Sequence, residues 1–277
     1  MTITPELLVS LKRLIVEAGD AIMKIYQDTD AWNTQQKEND TPVTAADLAA
    51  QEILISGLSS LTPDLPILSE EGQISDWAVR QHWLSYWLLD PLDGTREFLQ
   101  RNGEFTVNIA LIHQSRAILG LVYAPASKTL YWGGVQFGAW KSENDSSAQR
   151  IAVRPRSKEC ILLTSRRHSH FEQEALNQLI DQGIFEKIES QSLGSSLKFC
   201  HIAEGKADLY LRISPTSEWD TAAAQAILEA AGGTILQLPE ACSLHYNTKA
   251  STTNPSLIAL ACPKPIWISN FNVSTQS

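Results

Sequence analysis

Tyr86-Trp87-Leu88-Leu89-Asp90-Pro91-Leu92-Asp93-Gly94-Thr95 runs from four apolar residues straight into two aspartates three positions apart around a proline. An apolar run of this kind reads as a buried strand. It would push both carboxylates out at its end, where ligands bind in α/β sheets. Two carboxylates about 4 Å apart repel by roughly 4 kcal/mol at an effective dielectric of ~20. A proton, an arginine or lysine, or a metal ion must relieve that repulsion. Two more acidic clusters, Ser69-Glu70-Glu71-Gly72 and Glu218-Trp219-Asp220-Thr221-Ala222-Ala223, favour a metal. Oxygen-only ligands suit Mg²⁺, Ca²⁺ or Mn²⁺ rather than zinc.

Rival readings of Asp90–Thr95 fare less well. Pro, Asp and Gly form turns for purely structural reasons. In a calcium-binding EF-hand the loop glycine falls at the sixth position, whereas Gly94 is fifth from Asp90. Phosphatases that form an aspartyl-phosphate carry their two acids two residues apart on one strand face; here the interval is three and holds a proline. What remains is a metal site with phosphate chemistry, in which the N–H groups of Gly94 and Thr95 would hold a phosphate at a helix start.

Working outward, Leu7, Leu11, Leu14, Ile15, Ala18 and Ile22 recur at helical spacing behind Pro5. The polar stretch 33–42 reads as a loop, and a second helix starts near Thr44. Ile67-Leu68 reads as a short strand. Phe105–Ile112, Ala117–Tyr123, Thr129–Trp132 and Gly138–Lys141 read as antiparallel strands. Ser142–Gln149 is the best linker, dividing an N-terminal α+β half (1–149) from a C-terminal α/β half (150–277). In the second half strands at Ile161–Leu163, Lys187–Glu189 and Asp208–Leu211 alternate with helices at His170–Asp181, Ser195–Glu204 and Trp219–Ala231. Gly232-Gly233 closes the last helix, and Ser256–Ala261 is the final strand.

The bulk properties exclude several classes. The chain has 277 residues, 43% hydrophobic and 19% charged, and a formal net charge of -9. An acidic protein is a poor binder of nucleic-acid polymers, which need Lys and Arg against phosphate. A small phosphorylated ligand stays open if metal ions supply local positive charge. Cys160, Cys200, Cys242 and Cys262 fit no zinc spacing and read as buried reduced thiols of a cytosolic protein. Glu6, Lys12, Arg13 and Glu17 interrupt any apolar leader, and no run of 18 apolar residues is present.

A plain structural account exists for each acidic residue taken alone. Thr44-Ala45-Ala46-Asp47 has the form of a helix capping box, and Asp220 suits the first turn of a helix. Their joint occurrence shifts the balance. SEEG, WLLDPLDGTREF, NGEFTVNIALI, GSSLKFC and EWDTAAAQAILEAAGG together resemble the inositol monophosphatase superfamily. The resemblance is closest to its branch of CysQ-type 3′(2′),5′-bisphosphate nucleotidases, and it spans roughly Asn39 to Ala261.

The resemblance implies a layered α-β-α-β-α sugar-phosphatase fold of the α/β (α+β) class. It implies two or three Mg²⁺ ions, with Mn²⁺ able to substitute, and lithium sensitivity. Glu70, Asp90 and Asp93, with the Leu92 carbonyl, would hold the first ion; Asp90, Asp93 and Asp220 the second; Glu71 an outer or third position. Asp47 and Thr95 would orient the attacking water, with Glu70 the third catalytic residue. Gly94, Thr95, Arg96, Gly194, Ser195, Ser196, Lys198, Trp219 and Asp220 would contact substrate, with Trp219 walling the base. Arg101 and Arg212 are further candidates for a second phosphate. The implied substrate is adenosine 3′,5′-bisphosphate, hydrolysed at its 3′-phosphate; an inositol or sugar phosphate is the alternative. A catalytically silent metal- or nucleotide-binding protein is the non-enzymatic rival. No membrane or nucleic-acid partner is implied, a homodimer stays open, and the expected location is cytoplasmic.

Overall fold

The computed structural model describes residues 3–28, 35–36, 42–144, 146–166, 181 and 185–262. Helix α1 (Pro5–Gln27) begins where the Thr4 hydroxyl accepts the Leu7 N–H at 3.2 Å. Its stripe Leu11, Leu14, Ile15, Ala18 and Ile22 is buried. Helix α2 (Ala45–Leu61) begins in the expected Thr44/Asp47 capping box. Between the helices, β1 (Gln35–Gln36) pairs antiparallel with β2 (Pro42–Val43), so the stretch read as loop carries a short ladder. Two-residue strands have no periodicity to betray them. The other residues of 33–42 lie outside the described residues.

The apolar run and its two aspartates form β4 (Ser85–Asp93), second strand of a seven-stranded sheet. The order is β3 (Ile67–Ser69), β4, β5 (Thr106–His113), β6 (Arg116–Ala124), β7 (Thr129–Gly134), β8 (Gly138–Glu143), β9 (Gln149–Ile151). β3 and β4 are parallel and the other neighbours antiparallel. The stretch read as a linker therefore joins β8 to β9 within one sheet. Helices α3 (Trp77–Arg80) and α4 (Thr95–Leu99) flank β4 in the chain.

The second sheet has six strands in the order β11 (Lys187–Ser192), β10 (Glu159–Thr164), β12 (Leu209–Arg212), β15 (Leu257–Leu260), β13 (Thr234–Gln237), β14 (Cys242–Ser243). β10 runs parallel to β11 and β12, and β15 antiparallel to β12 and β13. Helix α5 (Leu197–Ala203) follows β11, and α6 (Ala222–Ala230) follows a 3₁₀ turn at Glu218–Asp220.

Alternation along β4 assigns the layers. Trp87 and Leu89 pack with the α1/α2 stripe; Tyr86 and Leu88 pack with α5, α6 and the inner face of the six-stranded sheet. Helix α6 is buried from Ala222 through Leu228, as a helix clamped between two sheets must be. It lies so close to β6 that a Cβ on Gly120 would stand 1.8 Å from the Ala223 carbonyl oxygen. The outer face of the six-stranded sheet carries a third apolar cluster, including Leu162, Leu209 and Ile258. The described layers are thus α-β-α-β. The helix expected at His170–Asp181 lies, apart from Asp181, outside the described residues.

Among the described residues no helix is long and apolar enough to cross a membrane. Cys160 and Cys200 are buried, but Cys242 is exposed on edge strand β14 and Cys262 is partly so, which corrects the expectation of four buried thiols.

Candidate active site

β4 pairs in register with β5 as far as Asp90 opposite Asn108. The register then shifts before Asp93 meets Thr106. The irregularity falls on Pro91, which has no N–H to give a ladder. Gly94 follows with φ 92°, a left-handed conformation that favours glycine, and starts α4 without a side-chain cap. The shift, the left-handed residue and the helix start turn successive polar groups toward one cavity of about 180 Å³. Glu70, Asp90, Leu92, Asp93, Gly94, Thr95, Arg96, Glu97 and Asp220 line it.

Within that cavity one oxygen each from Glu70, Asp90 and Asp220 lies within 4.8 Å of the other two. Asp90 is 1% exposed. Its Oδ1 accepts the Leu92 N–H at 3.1 Å, while its buried Oδ2 has no hydrogen-bond partner. Burial, then the charges of Glu70, Asp93, Asp220 and Asp47, hold the Asp90 carboxyl well above the usual range. Burial, then Asp93 and Glu70, does the same to Asp220. At these spacings each charged pair repels by roughly 3–4 kcal/mol at an effective dielectric of ~20. An orphaned buried oxygen amid converging carboxylates fits a hard divalent cation.

Asp93 lines the same cavity but turns one oxygen to the Ser196 N–H. Burial pushes it up to about 6 against the pull of Lys198 and that hydrogen bond. Asp220 Oδ2 accepts the Ser217 N–H at 2.7 Å in a second capping box. Asp47, on α2, accepts the Thr44 N–H at 2.8 Å and hydroxyl at 2.7 Å through Oδ2. Its Oδ1 accepts the Thr95 hydroxyl at 3.2 Å. The capping residue and the threonine after Gly94 are therefore one unit.

A second cavity of about 230 Å³ adjoins the first and shares Asp93, Gly94, Arg96, Glu97 and Asp220. Gly194, Ser195, Ser196 and Lys198 line it from the C-terminal side, as expected. Lys198 is 6% exposed and donates to the Leu193 and Ser195 carbonyls at 3.1 and 2.8 Å. Burial brings it down to about 8, with Asp93 opposing. It thus staples the loop before α5 and presents its charge to Asp93.

Two sequence expectations need correction. Trp219 lines neither cavity; it is 8% exposed in the inter-sheet core. Side chains diverge by about 120° per residue in a 3₁₀ turn, so aiming Asp220 at the cavity sends Trp219 away from it. Arg101 donates to the Tyr26 carbonyl at 3.1 Å and stacks on its ring, outside both cavities. Arg212, by contrast, lines the larger cavity and donates to Ser165 at 3.0 Å.

Sequence reasoning missed Glu97, Ser165, Arg166, Tyr210 and Thr216 on the cavity walls. Arg166 forms an ion pair with Glu104, which also accepts the Gly194 N–H at 2.7 Å. The position of Glu97 one turn into α4 was a readable signal. Ser165 and Arg166 had none, because only the pairing of β10 with β11 and β12 carries them there.

A carboxylate centre at the end of a mixed sheet, with a wider cleft reaching toward a second sheet, defines a class. The chain belongs to the inositol monophosphatase family, whose model matches residues 5–262. Within that class it is 48% identical to a 3′(2′),5′-bisphosphate nucleotidase CysQ of Salmonella typhimurium, over 88% of this chain and 95% of that protein. It is 46% identical, with the same coverage, to a 3′(2′),5′-bisphosphate nucleotidase CysQ of Escherichia coli K12. The crystal structure of CysQ from Bacteroides thetaiotaomicron, a bacterial member of the inositol monophosphatase family, shares the α/β fold at a TM-score of 0.81. Its identity is 36%, over 92% of this chain and 97% of that one.

Proposed function

We propose that this chain is a magnesium-dependent 3′(2′),5′-bisphosphate nucleotidase that removes the 3′-phosphate of adenosine 3′,5′-bisphosphate. The observation that carries the chemistry is the Asp90 Oδ2 atom, buried without a partner among Glu70, Asp93 and Asp220. The similarity to CysQ nucleotidases along nearly their whole length supports the substrate class.

Glu70, Asp90, Asp93 and Asp220, with the Leu92 carbonyl, would hold two or three Mg²⁺ ions, or Mn²⁺ in their place, with Glu71 in an outer position. Bound magnesium supplies positive charge that acidifies water and neutralises the departing oxygen. Phosphate ester hydrolysis is limited by positioning and charge more than by covalent chemistry. Asp47 takes the Thr95 hydroxyl proton as a hydrogen bond. The Thr95 oxygen is left as an acceptor that orients an attacking water, while Glu70 faces it from the Ser69–Gly72 segment. The N–H groups of Gly94 and Thr95 hold the phosphate. Arg96, exposed at the junction of both cavities, and the Gly194–Lys198 segment receive the rest of the nucleotide. The working location is the cytoplasm.

The test is phosphate release from adenosine 3′,5′-bisphosphate and inositol 1-phosphate in parallel, with Mg²⁺ and with a chelator. Chelator-sensitive preference for the nucleotide is the expected result. Preference for the inositol phosphate overturns the substrate and keeps the site; silence on both, with calorimetric metal binding intact, overturns the enzyme. Inhibition at millimolar lithium is expected in the same assay.

A further inference from the structure

Arg80 ends α3, the short helix that follows the Glu70 segment in the chain, and is only 1% exposed. Arginine is almost never fully buried unless its head is well partnered. Here the fork goes mainly to neutral oxygens. One terminal nitrogen donates to the Asn247 side-chain carbonyl, the other to the Ala250 carbonyl. The Arg80 carbonyl accepts the Asn247 amide at 2.6 Å, and Trp77 lies 4.8 Å from the guanidinium. The fork therefore grips two points of a single loop, 247–250.

That loop grips the turn bearing Asp220. Asn247 sits at φ 53°, a left-handed conformation that asparagine tolerates, and its N–H reaches both oxygens of Glu218 at 2.9 Å. The Glu218 N–H donates to Thr252, and the Asn254 N–H to Thr216, both at 2.8 Å. The Asn254 amide donates to the Ser217 carbonyl at 2.6 Å and lies 3.1 Å from the Thr221 hydroxyl. The Glu218–Asp220 turn is only three residues long; its own capping box closes it locally, and the loop holds it against the rest of the fold. Its placement is set by the loop, and the loop is pinned by Arg80.

From this chain of contacts we infer that Arg80 is a positioning residue for the metal centre. It ties the end of α3 to the loop that holds the Glu218–Asp220 turn and so sets where the Asp220 carboxylate stands. The inference rests on the assignment of Asp220 as a metal ligand. A lysine would not substitute, since a point charge cannot bridge Asn247 and Ala250 as a planar fork does.

The experiment compares Arg80→Met, Arg80→Lys, Asn254→Ala and Asp220→Asn with the unaltered full chain. Three quantities are read: Mn²⁺ binding by calorimetry, melting temperature without metal, and the split of kcat from KM in phosphate release. Asp220→Asn should lose one class of Mn²⁺ site. Both Arg80 variants should bind Mn²⁺ at that site about 10-fold more weakly, the scale of outer-shell substitutions. Their kcat should fall in step, with the nucleotide KM unchanged. A folded Arg80→Met or Arg80→Lys with unaltered Mn²⁺ affinity overturns the inference while leaving the ligand assignment standing. If neither folds, Asn254→Ala decides: weakened Mn²⁺ binding supports the inference and unaltered binding overturns it. Asp220→Asn with every site retained overturns the ligand assignment, and this inference with it.

Discussion

The carboxylate cluster before α5 and the single carboxylate Glu204 at its C-terminal end are built on opposite plans. In the cluster Asp90 faces Glu70, Asp93 and Asp220. By contrast, Glu204 receives Lys141 at 2.6 Å, Lys206 at 2.9 Å and the Tyr131 hydroxyl at 3.0 Å. Burial pushes Glu204 upward, but its hydrogen bonds from Lys141 and Lys206 outweigh this and hold its carboxyl below the usual range. Nothing comparable offsets Asp90. A carboxylate whose partners come from the chain holds two elements together; carboxylates whose partners must come from solution form a binding site. Lys141 and Tyr131 belong to the seven-stranded sheet, so Glu204 anchors α5 while the segment before α5 presents Ser196 to Asp93.

The largest break in this contrast should come from Asp90→Asn. Turnover should fall on the order of a thousand-fold, as when a key electrostatic element is lost. The metal-free protein should melt higher than the unaltered chain, because one repelling charge is gone; a lower melting temperature would contradict the crowding argument. Glu204→Ala should do the reverse, costing about 2 kcal/mol in chemical denaturation because the buried Tyr131 hydroxyl loses its acceptor while Lys141 keeps only the more exposed Glu143. Turnover per folded molecule should largely persist.

Titration sharpens the contrast. Asp93 is raised from an ordinary 3.8 to about 6, so its contribution to stability is full below 3.8 and is lost as pH rises through 6. Asp90 and Asp220 are raised in the same direction and add to the same loss as pH rises. Glu204 has the opposite sign: its contribution is present above 4.5 and is lost as pH falls through its depressed value. Melting of the metal-free chain should therefore decline as pH rises from about 4 toward 7. Millimolar Mg²⁺ should abolish the decline. The smallest effect belongs to Trp219→Phe. It should cost about 1 kcal/mol of packing and leave the nucleotide KM within about two-fold, since the ring faces the core; a large rise in KM would restore it to the cleft.

The acidic plan was legible in the sequence because carboxylates in an apolar setting demand an explanation at any position. Asp47, Glu70, Asp90 and Asp93 each had a plain structural account alone and were singled out by their joint occurrence, while β4 through β8 could be read strand by strand because their runs are long enough to show alternation. The cationic plan was not legible. Lys141 and Lys206 look like surface lysines, and Glu204 like a helix-end acid, until the two sheets close on α5. The same holds for the short strands β9, β13 and β14, which exist through pairing rather than propensity. It holds for Trp219 as well: adjacent residues in a turn must part company, but only the folded turn shows which goes where.

Gly120 has a consequence well beyond its own strand. With the Ala223 carbonyl 1.8 Å from where a Cβ would be, the first turn of α6 rests on bare backbone, and Asp220 stands just before that turn. Even a methyl group at position 120 acts as a shim: it lifts the helix, and the carboxylate rises with it. A survey of inactivating substitutions should therefore score position 120 beside the acids, though it touches neither ion nor nucleotide. The tolerance of the catalytic centre is machined into the middle of a strand on the far side of a helix.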